Sequence, residues 1–337
     1  MAQTSKFLRR MLPLLLFLFF FLLYSLMSSV GLEWGDAGEA QLAAWTAGLS
    51  HPTGYPLFLI LGWLWSHTLA LLGVAPTRAM TLLSVTAGAA TVALLLPMMQ
   101  ALLRRAWLGL SPGWMQGIGT VTALFFGFSL TFWSQALIAE VYTLNTLFLA
   151  LLLWGLWARG HEPRWLPWLA LLYGIALSHH RTMILWAPGL ILWLWLEQRA
   201  AFRPRGLLTL LFLVALPQLL YLYIAWRGPR TAYLHQPLAG GAALELYDGS
   251  WRAFLAHVTG SVFTADLGLK QPLVARLRSL WDLARANVTF PLLAMALLAA
   301  TVPLPGRLGA LLSLRLADRL LLWSGALATL LFGFFYA

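Results

Sequence analysis

The stretch Lys6–Val30 reads KFLRRMLPLLLFLFFFLLYSLMSSV. Three cations lead into an apolar run from Met11 to about Val30 that contains no Asp, Glu, Lys or Arg. As a helix such a run is long enough to cross a hydrocarbon core of roughly 30 Å. A secretory signal opens in the same way, but this run outlasts an h-region and no small-x-small cleavage site follows it. It reads as a retained first helix with its N-terminus in the cytoplasm. Runs of the same kind recur at 56–74, 79–102, 114–133, 142–158, 165–180, 182–197, 206–226, 287–305 and 319–336. Across 337 residues the chain is 61% hydrophobic and only 10% charged, with a mean hydropathy of +0.78. That leaves too few charges to solvate a globular surface. The period is not the alternation of a transmembrane barrel, so the expected fold class is all-α, a polytopic transmembrane helical bundle. With no cysteine, disulfides, thiolate metal sites and cysteine nucleophiles are excluded.

The net charge of +11 does not point to nucleic acid, because no basic face interleaved with aromatics appears. Cytoplasmic loops of membrane proteins accumulate Lys and Arg, and this rule fixes the orientation through one segment. If 56–74 crosses, the basic loops at Arg104/Arg105, Arg159/Arg164 and Arg199/Arg203/Arg205 all lie outside. If it stays on the outer side as a juxtamembrane helix, they all turn cytoplasmic. The inside then holds thirteen cations and three carboxylates, and the outside nine and eight. Pro52, Gly54 and Pro56 break the chain before this segment, and His67 would lie deep in lipid if it spanned. The second layout is therefore the expectation: about nine spans plus outer juxtamembrane helices. It gives an integral, multi-pass membrane protein, in the plasma (inner) membrane if bacterial. The chain divides into a membrane module 1–226 with its first outer loop at 31–78, an outer loop 227–286, and C-terminal helices in 287–337.

On that layout four polar clusters meet on one face. They are Gly35-Asp36-Ala-Gly-Glu39, then His51-Pro-Thr-Gly-Tyr55-Pro56, then Glu140-Val-Tyr142-Thr-Leu-Asn145, and Ser178-His179-His180-Arg181. An ionisable residue at membrane depth costs roughly 2.5–3.5 kcal/mol on insertion scales, so it marks a functional site by default. Each cluster also has a plainer reading. Asp36 reads equally as a helix N-cap, the Pro-rich turn as a rigid corner, Glu140 as a carboxylate facing water, and the His pair as an ordinary loop. Projected at 100° per residue, Asp36, Glu39, Ala43, Thr46, Ala47 and Ser50 share one stripe, opposite Leu42, Trp45 and Leu49. His67 and His257 read as incidental. No Walker loop, zincin motif, EF-hand or nucleophile elbow is present. The Asp/His set could hold a divalent cation, although its spacing is not diagnostic.

Asp36 and Glu39, the His51–Pro56 turn, and Phe132-Trp-Ser-Gln-Ala-Leu-Ile-Ala-Glu-Val-Tyr-Thr-Leu-Asn145 together resemble the protein O-mannosyltransferase-like membrane family. That family belongs to the GT-C superfamily of polyprenyl-phosphate-sugar-dependent glycosyltransferases. The resemblance covers roughly residues 11–200. It implies a GT-C fold with an acidic residue of the first outer loop, here Asp36, as catalytic base. Thr53 stands where relatives tend to have a second Pro. The resemblance also implies more spans than are found here, so the chain reads as a short or truncated member.

The implied activity is transfer of a mannose-like sugar from a polyprenyl-phosphate donor to a protein or glycan hydroxyl on the extracytoplasmic face. Asp36 takes the acceptor's proton, or Glu39 if Asp36 is only a cap. His51, Tyr55, Glu140, Tyr142 and Asn145 are expected to position sugar or acceptor. Arg181 with His179 or His180 meets the leaving lipid phosphate, since a guanidinium fork matches phosphate geometry, and Arg78 is the reserve cation. No nucleotide is required, because the donor bond already carries the energy. The main rival is a lipid-linked-sugar flippase or transporter, which should show inverted repeats and broken helices meeting at the midplane. A non-catalytic scaffold is the other, and has no use for Asp36, Glu140 and Arg181 together.

Overall fold

The computed structural model describes residues 2–106, 110–237, 243–261, 272–287 and 314–336. Their regular structure is helical apart from one short antiparallel pairing of His235–Pro237 with Ala243–Glu245. The helices are α1 (Ala2–Met27), α2 (Gly35–Trp45), α3 (Pro56–Ala70), α4 (Pro76–Arg105), α5 (Pro112–Gly127), α6 (Leu130–Ala136) and α7 (Tyr142–Arg159). They continue as α8 (Leu166–His179), α9 (Ala187–Glu197), α10 (Pro204–Ala215), α11 (Leu222–Arg227), α12 (Trp251–Thr259), α13 (Leu273–Asn287) and α14 (Leu316–Tyr336).

The centre of the fold is α4, which packs against α1, α2, α3, α5 and α7. Its buried face is built from small residues, among them Ala79, Ser84, Ala87, Gly88, Ala89, Thr91 and Ala93. Small side chains let neighbouring backbones approach closely, which is how helices associate where lipid removes the hydrophobic drive. Tyr24 is fully buried in this packing and donates to the Gly127 carbonyl at 2.6 Å. Large apolar side chains face outward on the periphery, including Leu22, Leu26, Leu208 and Phe212. An apolar skin of that extent suits lipid and not water.

The expected nine spans are not found. Among the described residues three helical stretches are long and apolar enough to cross: Arg10–Met27, Pro76–Arg105 and Pro204–Arg230. A fourth results if α5 and α6, bent by 67°, count as one. For two of them the reason is length. The expected 165–180 and 182–197 spans fold as α8 of 14 residues, a 3₁₀ turn at Arg181–Trp186, and α9 of 11 residues. At 1.5 Å per residue neither helix reaches 30 Å. The apolar segment at 56–74 folds as α3, 15 residues long, which is shorter than a span needs. The expected 287–305 span lies, beyond Asn287, outside the described residues.

Candidate functional site

The site begins where α1 gives way to α2. Glu33 fastens this junction: its carboxylate accepts from the Thr81 hydroxyl at 3.0 Å and from the Ala139 N–H at 3.2 Å. Gln41 closes the loop by accepting from the Glu33 N–H at 2.9 Å and donating to the Thr77 carbonyl at 3.3 Å. Gly38 lies against the Glu33 carbonyl so closely that any Cβ there would collide with it. The N-cap of α2 is Trp34, and it makes no side-chain capping bond. Asp36 is thus inside the first helical turn instead of being its cap, with its carboxylate favoured by the positive end of the helix and its side chain 70% exposed.

One turn further on, Glu39 is fully committed. It accepts from the His51 N–H at 2.9 Å and pairs with His51 Nδ1 at 2.5 Å. The same Nδ1 lies 4.0 Å from Asp36. The hydrogen bond to Glu39 raises the pKa of His51 against the opposing effect of burial, so the imidazolium persists to higher pH than in a free histidine. The turn carrying His51 is held from the far end of the sequence. Tyr223 donates to the Gly48 carbonyl at 3.0 Å, Tyr233 to that of Leu49, and Arg227 to those of Ala47 and Thr46 at 2.5 and 3.3 Å. Leu49 is fully buried in the cluster of Tyr221, Ile224, Tyr247 and Phe254. It does not continue the outer stripe of α2, because that helix stops at Trp45. Gly54 needs its positive φ of 80° and has Ile224 and His257 packed against it.

The opposite wall comes from the α6–α7 junction. The Ser84 hydroxyl is 3.0 Å from both the N–H and the carbonyl of Glu140 and ties this junction to α4. Tyr55, held in the left-handed region at φ 39°, places its ring between His51 and His180, with centroids at 5.4 and 5.5 Å. Tyr142 packs on His180 at 5.8 Å. A non-glycine residue in that backbone region costs energy and persists only where surrounding packing enforces it.

Asp36, Glu39, His51, Tyr55, Glu140 and Tyr142 thus line one cleft, floored by Ala40, Phe58, Leu59 and Val141. It encloses about 20 Å³, room for about one water. A larger apolar groove of about 690 Å³, lined by Phe125, Phe126, Phe132, Gln135 and Thr146, shares Tyr142 with it. The donor atoms of Asp36, Glu39 and His51 lie within 4.8 Å of one another, so these three are the residues able to hold a cation.

The remaining expected site residues are placed otherwise. Arg78, the reserve cation, is engaged elsewhere: its guanidinium donates to the Ser25, Ser28 and Ser29 carbonyls and the Ser28 hydroxyl. It caps the end of α1 and has little left for a phosphate. His179 is fully buried against Phe58 and Phe148, with Nε2 bonded to the Val141 carbonyl at 3.0 Å. It supports the cleft floor and does not reach its surface. His180 caps the 3₁₀ turn through Thr182 and reaches the cleft only through the two tyrosine rings. Arg181 sits over the Tyr221 ring at 5.2 Å and does not line the cleft. Asn145 lies one turn into α7, its Oδ1 buried without a partner among the described residues. Glu33, Gln41 and Ser84 organise the site, and none was singled out from sequence. Glu33 alone had a local signal, three residues before Asp36.

Burial pushes the Glu140 carboxyl up to about 7, with the negative charge of Asp36 adding to it and the Val141 N–H opposing it. A raised carboxyl contributes stability fully below its unfolded pKa of about 4.3, and that contribution fades as pH rises through 7. Glu140→Gln is therefore expected to raise the thermal midpoint relative to wild type at pH 8 and to leave it nearly unchanged at pH 4.5. Parallel melts at the two pH values test this; an equal effect at both would remove the burial argument.

Paired carboxylates in a cleft between apolar helices are an arrangement compatible with group transfer. Residues 36–202 match the model of the protein O-mannosyl-transferase TMEM260 N-terminal domain, so this part of the chain is similar to an O-mannosyltransferase-like family. A curated relative, protein O-mannosyl-transferase tmem260 of Dictyostelium discoideum, is 28% identical over 144 residues. That alignment covers 42% of this chain and 16% of the relative's length. No solved structure matches.

Proposed function

We propose that the chain is a membrane glycosyltransferase of GT-C type, moving a mannose-like sugar from a polyprenyl-phosphate donor to a protein hydroxyl on the extracytoplasmic face. The observation that carries this is the division of labour between two carboxylates. Glu39 is spent on the His51 turn, while Asp36 stands at the cleft mouth with most of its side chain open. Asp36 takes the proton of the acceptor hydroxyl as its oxygen attacks the anomeric carbon. The carbon–oxygen bond to phosphate breaks, and the pair of electrons leaves with the lipid phosphate. Because the cleft floor is too small for a hexose, transfer takes place at its mouth. The positive charge favoured at that mouth is the His51 imidazolium, whose proton the hydrogen bond to Glu39 helps retain, with Arg181 over the Tyr221 ring as a further cation outside the cleft. The apolar groove sharing Tyr142 fits the polyprenyl tail. A divalent cation held between Asp36, Glu39 and His51 would be the alternative source of that charge, taking the place of the His51 proton. The break between α5 and α6, at Phe128 and Ser129, carries no ionisable residue, unlike the midplane sites of transporters.

The test is transfer of radiolabelled sugar from mannosyl, glucosyl and galactosyl polyprenyl phosphates to Ser/Thr peptides by purified protein, with and without chelator. Transfer from one donor supports the reading. Binding of none of the donors would overturn it.

A further inference from the structure

The end of α4 away from the cleft forms a further cavity. From Ser84, which touches Glu140, to Arg104 is twenty residues of one helix, about 30 Å of rise and the thickness of a hydrocarbon core. There the ends of α4 and α7 and the start of α14 enclose about 580 Å³. Its rim is cationic, with Arg104, Arg105, Arg159, His161 and Arg315, and its inner wall is Pro97, Ala101, Trp154, Trp157 and Ala158.

Among the described residues no carboxylate lines this cavity. The nearby acids are turned to other work. Glu197 and Asp318 hold Arg105, Glu197 also holds Arg315, and Glu162 is shared by Arg159 and Arg164. Arg104 is exposed and makes no hydrogen bond or ion pair among the described residues. Trp157 is only 3% exposed, and its buried indole N–H has no acceptor among them. A buried donor without a partner carries an uncompensated desolvation cost, so an acceptor that reached it would be rewarded. Cations at the C-terminal ends of α4 and α7 suit the helix dipole but exceed what it needs.

We propose that this cavity binds the phosphate headgroup of an anionic membrane lipid, on the membrane face opposite the candidate transfer site. Arg104 and Arg159 hold the phosphate, Trp157 borders it with its N–H, and the first acyl methylenes lie on Pro97, Ala101 and Trp154. Free phosphate would use only the rim. The apolar wall and the position one hydrocarbon thickness from the cleft select the lipid. Basic pockets between helices at a membrane face have this chemistry. The inference needs only the membrane reading and is independent of glycosyl transfer.

The experiment uses the full chain in phosphatidylcholine nanodiscs with increasing phosphatidylglycerol, counting retained lipid by native mass spectrometry. Wild type is expected to retain phosphatidylglycerol selectively. The pair R104Q/R159Q is expected to weaken that retention about tenfold to thirtyfold, at about one kcal/mol per cation near an anionic surface. The pair R203Q/R205Q, exposed cations elsewhere, should leave it unchanged. Trp157→Phe keeps the apolar wall, removes the N–H, and should weaken retention severalfold even if the arginine pair alters folding. Equal loss in both arginine pairs would mean diffuse charge attraction and overturn the site. Unchanged retention in R104Q/R159Q and in Trp157→Phe would do the same. Complete displacement by millimolar inorganic phosphate would overturn the lipid assignment in favour of a free-anion site.

Discussion

Asp36→Asn is expected to lower sugar transfer by about 10²–10⁴-fold, the usual contribution of a positioned general base, while donor binding and thermal midpoint stay near wild type. The substitution removes a charge and little else. The carboxylate is exposed, it caps no helix, and its nearest titratable partner, His51, already belongs to Glu39. Glu39→Gln is the informative contrast. It weakens the grip on both the N–H and the ring of His51, so it should cost activity and stability together. Kinetics and melting of the two variants side by side separate the roles. If Glu39→Gln abolishes transfer with its fold intact while Asp36→Asn remains active, the assignment of the base is reversed.

Arg105→Met is expected to destabilise the protein by about 3–5 kcal/mol, the range for removing one partner of a buried ion pair. Asp318 is fully buried. It accepts from Arg105 Nε at 2.9 Å and from the Trp193 indole at 2.9 Å. Arg105 also reaches Glu197 at 3.0 Å and lies over the Trp193 ring at 5.5 Å. Without the guanidinium, Asp318 keeps only a neutral donor in an apolar setting. Replacing both partners, as in R105M/D318L, should recover much of the loss, because apolar residues of similar volume often equal a buried pair. Denaturant titration in detergent across the double-mutant cycle measures this. A loss below about 1 kcal/mol for Arg105→Met would show that water reaches Asp318 and that the pair is not buried in effect.

Much of the candidate site was legible because its parts are local motifs. Asp36 and Glu39 are one helical turn apart, His51 and Tyr55 sit in one Pro-bounded turn, and Glu140 with Tyr142 opens a helix; the structure joins them in a single cleft. The all-helical class followed from hydropathy alone. The span count did not, because a hydropathy window registers apolar length whether or not the helix is continuous. It passes over the 3₁₀ turn at Arg181–Trp186 that separates α8 from α9. The engagement of Arg78 was hidden for a related reason: a cation near a site looks available until the carbonyls of Ser25, Ser28 and Ser29 are seen against it. Partners separated by long stretches of chain, such as Arg105 and Asp318, leave no mark on local pattern.

The fastening of the His51 turn has a consequence for how this molecule divides. The family match ends at residue 202, and every residue lining the cleft lies before that point. Glu39 holds the turn from before that point, but the groups that grip its backbone carbonyls, Tyr223, Arg227 and Tyr233, come after it. The boundary of kinship and the boundary of mechanical support therefore do not coincide. A fragment cut at 202 would own the whole chemical vocabulary of the site and lack the grammar that orders it. Anyone grafting the matched region onto another scaffold should carry the strip through residue 234 along with it.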